Sequence, residues 1–247
     1  MGPGAVNFPA VMAELRAIVK EMKPHENKPS APTAVFTRGA NDTKCYRIPL
    51  AVRVPCKSGP RCNTAGYVLL AFVEARSISC CDFGPKRIGM TRSWDAGQSW
   101  EPQSTVWTDP TNVSAHQASC GGPSGGKCYG CDYVGSNLGA VVYDKHTKEV
   151  LLHFTFQPCE EHQLWCIGMM VASSGDWGAT WTFRNITKQF HGIVPSAPTS
   201  KIGMPWNGGP GTGVQLPTGR LIIPGFDRRS HPIYSDVRQL SLLDDLP

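Results

Sequence analysis

Two arginines and one aspartate in the first third of the chain are the residues best suited to chemistry on an anionic substrate. Arg47 lies in the segment 46–49 (Tyr-Arg-Ile-Pro), Arg76 ends a long apolar run, and Asp82 follows six residues later. A planar guanidinium matches a carboxylate through two parallel hydrogen bonds. Taken singly, each arginine could equally be a surface or ion-pair residue, and Asp82 could be an ordinary loop residue beside a cysteine.

A repeated octapeptide of the form S-x-D-x-G-x-[ST]-W occurs at 93–100 and again at 174–181, and we call these the first and second octapeptides. The pattern predicts a β-hairpin turn in which the aspartate accepts backbone N–H groups and the glycine takes a positive φ. The tryptophan is expected to start the return strand and to pack against the neighbouring sheet. The defining residues are Ser93, Asp95, Gly97 and Trp100, then Ser174, Asp176, Gly178 and Trp181.

Short strands must position these residues. Apolar residues recur at helical spacing only over 9–23, and the polar, Pro-rich stretch 25–33 reads as a linker. Beyond it, runs bounded by Gly, Pro, Asn or Asp predict strands, and 26 glycines and 21 prolines favour many turns. The predicted strands are 67–73, 138–143, 150–156, 166–172 and 220–224. A repeated hairpin indicates stacked or radial sheets, and hence an all-β chain.

The two octapeptides resemble the Asp boxes of sialidases, and the segment 46–49 is similar to the Arg-Ile-Pro segment that precedes the first box in that family. The resemblance covers roughly 34–234 and implies a six-bladed β-propeller. It divides the chain into an N-terminal helix and linker, 1–33, and a propeller domain, 34–247. About four blades of four strands fit into that domain, so we expect a propeller that is incomplete at its C-terminal side.

The resemblance also assigns roles to the three candidate residues. It implies that Arg47 binds the sugar carboxylate, that Arg76 lines the site, and that Asp82 is the acid/base catalyst. The octapeptide aspartates are expected to be structural. The glycine-rich stretch 209–216 followed by 219–224 is similar to a strand pair of the family, and without a Gly-Lys-Ser/Thr ending it does not predict a phosphate-binding loop.

The implied activity is that of an exo-α-sialidase, a retaining glycoside hydrolase that releases terminal sialic acid from glycoproteins, glycolipids and oligosaccharides. In the family the nucleophilic Tyr, its Glu partner and the two other carboxylate-binding arginines lie beyond the matched region. The pattern breaks off after 233–236 (Ile-Tyr-Ser-Asp). We therefore expect this chain alone to be inactive or weakly active.

Several other classes of function find no support in the sequence. The net charge of +5 is spread over scattered lysines and arginines, and a nucleic-acid surface usually shows a basic run. No stretch has the form of a signal peptide or the length of a membrane span. Seven histidines show no metal-ligand spacing, so neither a metal nor a cofactor is expected.

The ten cysteines leave the cellular compartment open. An even number suggests disulfides in a secreted or lysosomal protein, and three Asn-x-Ser/Thr sequons point the same way, whereas the missing signal peptide favours the cytoplasm. A single C-x-x-C, at Cys128 and Cys131, lacks the second pair that a zinc site requires. Structural thiols or a disulfide are the preferred interpretation.

Two alternatives to the hydrolase remain at this stage. Asp boxes also occur in non-hydrolytic proteins, so the chain could be a module that binds glycans or proteins. A scaffold, however, has no need for Arg47, Arg76 and Asp82 together in this order. A relative that transfers sialic acid rather than hydrolysing its glycoside would use the same residues.

Overall fold

The computed structural model confirms an all-β chain. Of the predicted helix over 9–23, the structure describes only Ala13 and Arg16, and both are helical. The remainder of that helix and most of the linker lie outside the described residues. The described residues are 13, 16, 33–57, 59–62, 65–77, 80, 84–109, 135–156, 168–187, 206–208, 210–223 and 225–227.

The first sheet is an antiparallel meander of four strands that follows one short 3-10 turn, Ala40–Asp42. Its strands pair in chain order, so each is joined to the next by a hairpin or a loop. The sheet contains β1 (Cys45–Pro55), β2 (Tyr67–Arg76), β3 (Lys86–Ser93) and β4 (Ser104–Thr108).

The second sheet repeats this design. Four antiparallel strands pair in chain order, and a two-residue strand from further along the chain adds in parallel to the first of them. The sheet contains β5 (Asn137–Asp144), β6 (Glu149–Phe156), β7 (Gly168–Ser174), β8 (Thr182–Asn185) and the added strand β10 (Gly211–Thr212).

A third antiparallel ribbon follows. Strand β9 pairs with β13, and between them in the chain β11 pairs with β12, both antiparallel. This part of the chain therefore forms one long, interrupted hairpin. Gly213 permits close packing here, since a Cβ at this position would lie 2.9 Å from both Ile222 O and Val142 Cβ. The strands are β9 (Trp206–Gly208), β11 (Val214–Gln215), β12 (Leu221–Ile222) and β13 (Gly225–Asp227).

The main core lies between the first two sheets. Phe72, Ile88 and Met90 of the first sheet face Leu152 and Phe154 of the second, and all five are almost fully buried. Strands β2 and β6 are buried along nearly their whole length, because both faces of each strand are covered. Covered faces explain why their sequences are continuous apolar runs rather than alternating ones.

The other face of the second sheet carries a separate core. Val142, Met169 and Val171 pack there with Leu221 and Ile223 of the third ribbon. Three successive layers therefore stack face to face in chain order, as expected for neighbouring blades of a propeller.

The hairpin turn predicted for the first octapeptide is confirmed. The Ser93 hydroxyl donates to Asp95 Oδ1 over 2.8 Å and accepts the Gly97 N–H over 2.7 Å. The Ser99 N–H donates to Asp95 Oδ1 over 2.8 Å. Hydrogen bonds, first of all from the Ser99 side chain, lower the pKa of Asp95 to about 2. Gly97 has φ +94°, as the turn requires.

The second octapeptide has the same geometry. The Gly178 N–H donates to Ser174 Oγ over 2.8 Å, and the Thr180 N–H donates to Asp176 Oδ1 over 2.9 Å. Burial alone would raise the pKa of Asp176, but hydrogen bonds from Thr180 and Ser174 lower it. This turn also docks on the first sheet, because a Cβ at Gly178 would lie 2.5 Å from Met90 Sδ.

The two tryptophans of the octapeptides differ from each other. Trp181 directly precedes β8 and packs edge-on against Phe72, with ring centroids 5.9 Å apart, as predicted. Trp100 does not start a strand, because β4 begins only at Ser104. The prediction was therefore wrong for the first turn, whose return segment pairs through Glu101 before it becomes a regular strand.

Truncation of the core aromatic residue tests the inter-sheet packing. We expect Phe72→Ala to lower the free energy of unfolding by about 3–5 kcal/mol, since it removes a fully buried ring and leaves a cavity. Phe183, which is 39% exposed, is the matched control, and Phe183→Ala should cost about 1 kcal/mol or less. Urea unfolding measures both values, and equal losses would contradict the packing described here.

A buried histidine makes stability depend on pH. Burial lowers the pKa of His153 to about 3, well below that of a histidine in the unfolded chain. The unfolded chain therefore binds a proton at His153 at a higher pH than the folded chain does. As a result, the free energy of unfolding is unaffected by His153 above about pH 6.5 and decreases as the pH falls from there towards about 3. On lowering the pH from 7 to 5, the free energy of unfolding of the wild-type chain should therefore fall by about 2 kcal/mol more than that of His153→Leu.

Urea unfolding of the wild-type chain and of His153→Leu at the two pH values measures this difference. The exposed His146→Leu controls for removing a histidine. The same pH dependence in the wild-type chain and in His153→Leu would show that His153 is not buried as a neutral side chain.

Candidate functional site

One end of the first sheet gathers the two candidate arginines, and we call the end formed by Cys45, Arg47, Arg76 and Lys86 the arginine end. The register brings these residues together because Cys45 pairs with Arg76 and Arg76 pairs with Lys86 across β1, β2 and β3. Both octapeptides lie at the opposite end of the sheets, beyond Ser93 and Ser174. The arginines and the octapeptide turns are thus separated by the length of a strand.

Arg47 lies on a β-bulge. The register between β1 and β2 shifts between Arg47 and Leu50, and Ile48 adopts φ +56°. A β-branched residue in the left-handed region is strained, and such strain often marks a functional position. The bulge leaves Ile48 packed against the core while Arg47 is exposed. The bulge in the Arg-Ile-Pro segment therefore changes the direction of the Arg47 side chain from the one that a regular strand would give it.

Both arginines donate to the same carbonyl group. Nη1 of Arg76 lies 2.9 Å from Cys80 O, and Nη1 of Arg47 lies 3.4 Å from the same oxygen. Cys80 is joined by a disulfide to Cys45, two residues before Arg47 in β1. Cys80 is therefore held at the arginine end by one covalent bond and by hydrogen bonds from both guanidinium groups.

Arg76 is buried, with its side chain 3% exposed. It forms an ion pair with Glu74, in which Nε and Nη2 both donate to Oε2, the former over 3.0 Å. The other carboxylate oxygen, Oε1, accepts the Leu138 N–H of β5 over 2.9 Å. Glu74 thus fixes Arg76 and at the same time connects the first sheet with the second.

A polar network between the two sheets continues this arrangement, and sequence reasoning did not identify its members. Lys86 Nζ donates to Asn137 Oδ1 over 2.9 Å. Asp109 Oδ2 accepts the backbone N–H groups of Lys86 and Ser136, each over 2.9 Å. The sequence contained one indication of this network, because Glu74 is a carboxylate within the apolar run that forms β2 and would need a buried partner.

Asp82 and Cys81 lie outside the described residues, as do Cys128 and Cys131. Cys80 and Gly84 are the described residues nearest to Asp82 in sequence. A second disulfide joins Cys56 and Cys62, which follow β1 in the chain, at the end of the sheet opposite the arginines. Within the described residues, no group of three or more metal-ligating side chains is found, and no helix is long and apolar enough to cross a membrane.

The two arginines should respond differently to substitution. Arg76→Ala leaves the buried Glu74 carboxylate without its charged partner and should lower the free energy of unfolding by about 3–5 kcal/mol. Arg47→Ala removes an exposed side chain and should change it by about 0.5 kcal/mol or less. Urea unfolding distinguishes the two variants, and similar small losses for both would contradict the buried ion pair.

Comparison with known proteins supports the fold. No family model matches the sequence. Among solved structures, a Hadza microbial sialidase is 26% identical with a TM-score of 0.52, over 78% of this chain and 35% of its own. The leech intramolecular trans-sialidase is 12% identical with a TM-score of 0.54, over 81% of this chain and 43% of its own.

The intramolecular trans-sialidase from Ruminococcus gnavus is 13% identical with a TM-score of 0.50, over 78% of this chain and 58% of its own. The chain therefore spans between about a third and three fifths of the length of these three structures. Three such likenesses, together with sheets stacked in chain order, show that the described part of the chain has a sialidase-like propeller fold.

Proposed function

We propose that this chain is part of an exo-α-sialidase, which hydrolyses terminal sialic acid from glycoconjugates with retention of configuration. The observation that carries the proposal is the exposed Arg47, set on a strained bulge beside Arg76 in a sialidase-like fold. The sugar acid offers a carboxylate, and the bulge presents a guanidinium that suits it.

Arg47 is the proposed carboxylate-binding residue. A guanidinium can form two parallel hydrogen bonds with a carboxylate, and this geometry orients the sugar as well as binding it. The contact of Arg47 with Cys80 O, at 3.4 Å, is longer than that of Arg76. A carboxylate oxygen is a stronger acceptor for a guanidinium than a carbonyl oxygen. Substrate binding is therefore expected to replace this hydrogen bond with a stronger one.

Arg76 serves in this proposal as a lining and positioning residue. Glu74 occupies one edge of its guanidinium, and Nη1 holds Cys80 O. The position of Cys80 matters because Asp82 is only two residues further along the chain. The Cys45–Cys80 disulfide adds a covalent tie to the strand that carries Arg47. Both features fix the position of Cys80, the described residue that precedes Asp82 most closely.

Asp82 is the proposed acid/base catalyst. It would protonate the leaving glycosidic oxygen in the first step and remove a proton from water in the second. The nucleophilic tyrosine, its glutamate and the remaining arginines belong to the part of the enzyme that this chain does not match. Transfer of sialic acid instead of hydrolysis would use the same residues, and product analysis separates the two reactions.

Binding of free sialic acid tests the role of Arg47. We expect the 247-residue chain to bind it weakly, and Arg47→Ala should weaken binding about tenfold, equivalent to about 1.4 kcal/mol. Arg184→Ala, at an exposed position of β8, should leave the dissociation constant unchanged. NMR titration followed through the backbone amide of Cys45, which lies at the arginine end, measures binding there in all three proteins. Equal binding by Arg47→Ala and the wild-type chain would contradict the assignment.

A fluorogenic sialoside tests the catalytic part of the proposal. The chain alone is expected to release little or no sialic acid, because only part of the catalytic set is assigned to it. Release that is measurable and is lost on Asp82→Asn would overturn the expectation of inactivity while supporting Asp82 as the acid/base residue. Measurable release that persists in Asp82→Asn would contradict that role.

A further inference from the structure

A basic cleft lies at the end of the sheets opposite the arginines. It has a volume of about 580 Å³, and we call it the lysine cleft after Lys57, Lys145 and Lys148, with Tyr143 and Trp177 among its other lining residues. Lys57 follows β1, the other two lysines belong to the β5–β6 hairpin, and Trp177 belongs to the second octapeptide. The cleft thus lies where the first two sheets meet.

The charged residues that line the cleft are all positive. All three lysines are exposed, and none of the described residues that line the cleft is acidic. Two carboxylates lie near the cleft. Asp144 is held within its own turn, where Oδ1 accepts the His146 N–H and the Gln215 side-chain amide, each over 2.8 Å. Glu149 is partly buried, and its Cγ would lie 4.0 Å from a Cβ at Gly175. Three ammonium groups around one concave surface concentrate positive potential there.

An aromatic wall closes one side of the cleft. The Trp177 indole Nε1–H donates to Pro55 O over 3.1 Å, and its ring packs edge-on against Trp94 with centroids 5.9 Å apart. The turn itself does not require a tryptophan, since Ala96 takes the corresponding place in the first octapeptide with φ +61°. The indole, which the turn of the second sheet carries, is therefore held in the wall by residues of the first sheet and its turn.

Two residues of the lysine cleft lie in tight turns. Trp177 has φ +56° and Lys148 has φ +61°, and neither is a glycine. The octapeptide turn accounts for Trp177, because Ala96 has the same conformation in the first octapeptide, and Lys148 closes the hairpin between β5 and β6. In this cleft both of them present a side chain suited to a ligand, one aromatic and one cationic.

A second cleft, of about 750 Å³, adjoins the first and shares Pro55, Tyr143 and Lys145 with it. Arg53 lines this second cleft, with its guanidinium 4.0 Å above the centre of the Tyr67 ring. Positive charge and aromatic surface therefore extend beyond the lysine cleft. A ligand longer than one sugar unit could follow this extension.

We propose that the lysine cleft is a second binding site, which takes an acidic saccharide independently of the arginine end. Ammonium groups pair with a carboxylate, and the faces of Trp177 and Tyr143 offer apolar surface to the C–H side of a sugar ring. The volume lies in the range of pockets for small ligands. Nucleic acid is disfavoured because its binding uses a longer basic track than three lysines provide.

Titration calorimetry with 3′-sialyllactose tests this site. It is carried out in the Arg47→Ala background, so that the result does not depend on the function proposed above. We expect saturable binding, which Lys57→Ala/Lys145→Ala/Lys148→Ala weakens about tenfold or more. The charge-matched control, Arg38→Ala/Lys44→Ala/Arg184→Ala, removes three exposed cations that do not line the cleft and should change binding less than about twofold.

Neutral lactose should bind at least about tenfold more weakly than 3′-sialyllactose, because it lacks the carboxylate. Thermal unfolding at the wild-type temperature would show that both triple variants are folded. The proposal is overturned if no binding is detected, if both triple variants lose it equally, or if lactose binds as well. It is also overturned if inorganic sulfate or a single-stranded oligonucleotide binds the cleft as tightly as the saccharide.

Discussion

The face-to-face packing of the first two sheets is the contact on which both ends of the molecule depend. Phe72 and Met90 on one side and Phe154 on the other bury their side chains in one continuous core. Each sheet is a meander of short strands, and without the other it would expose an apolar face to water. Their packing therefore determines where the strand ends of one sheet lie relative to those of the other. The arginines and the lysines are located at these strand ends.

At the arginine end, polar contacts complete what apolar packing begins. A core of aliphatic and aromatic side chains fixes the distance between sheets, but it tolerates small displacements along the strands. Glu74 removes this freedom, because its carboxylate binds Arg76 of its own strand and the Leu138 N–H of the next sheet. A buried carboxylate with several partners is costly to displace. Cys80, which accepts a hydrogen bond from Arg76, is positioned as a result.

Much of the fold could be predicted from the sequence. The octapeptides carry their own turn geometry, since the serine, aspartate and glycine all form contacts within eight residues. The predicted strands follow from runs of apolar residues whose length and boundaries suit strands better than helices. Local patterns of this kind survive in the folded chain because the tertiary structure uses them without distortion.

The details of the site depend on contacts that the sequence does not display. The left-handed conformation of Ile48 arises from the bulge between β1 and β2, and the burial of Arg76 arises from Glu74 and the second sheet. The start of β4 at Ser104, and not at Trp100, also depends on pairing between strands. The return segment first forms a single hydrogen bond, from the Glu101 N–H to Arg92 O, before regular pairing begins. Lys57 and Lys145 are far apart in sequence, and only the stacking of the two sheets brings them to one cleft.

A crystal structure of the chain soaked with sialic acid tests the central claim most directly, because it locates the sugar relative to the two ends of the sheets. The account predicts that the carboxylate lies about 2.7–2.9 Å from the guanidinium nitrogens of Arg47, with Arg76 still bound to Glu74. An Arg47 side chain that makes no contact with the sugar at saturating concentration would contradict the assignment of the arginine end as the sialic-acid site.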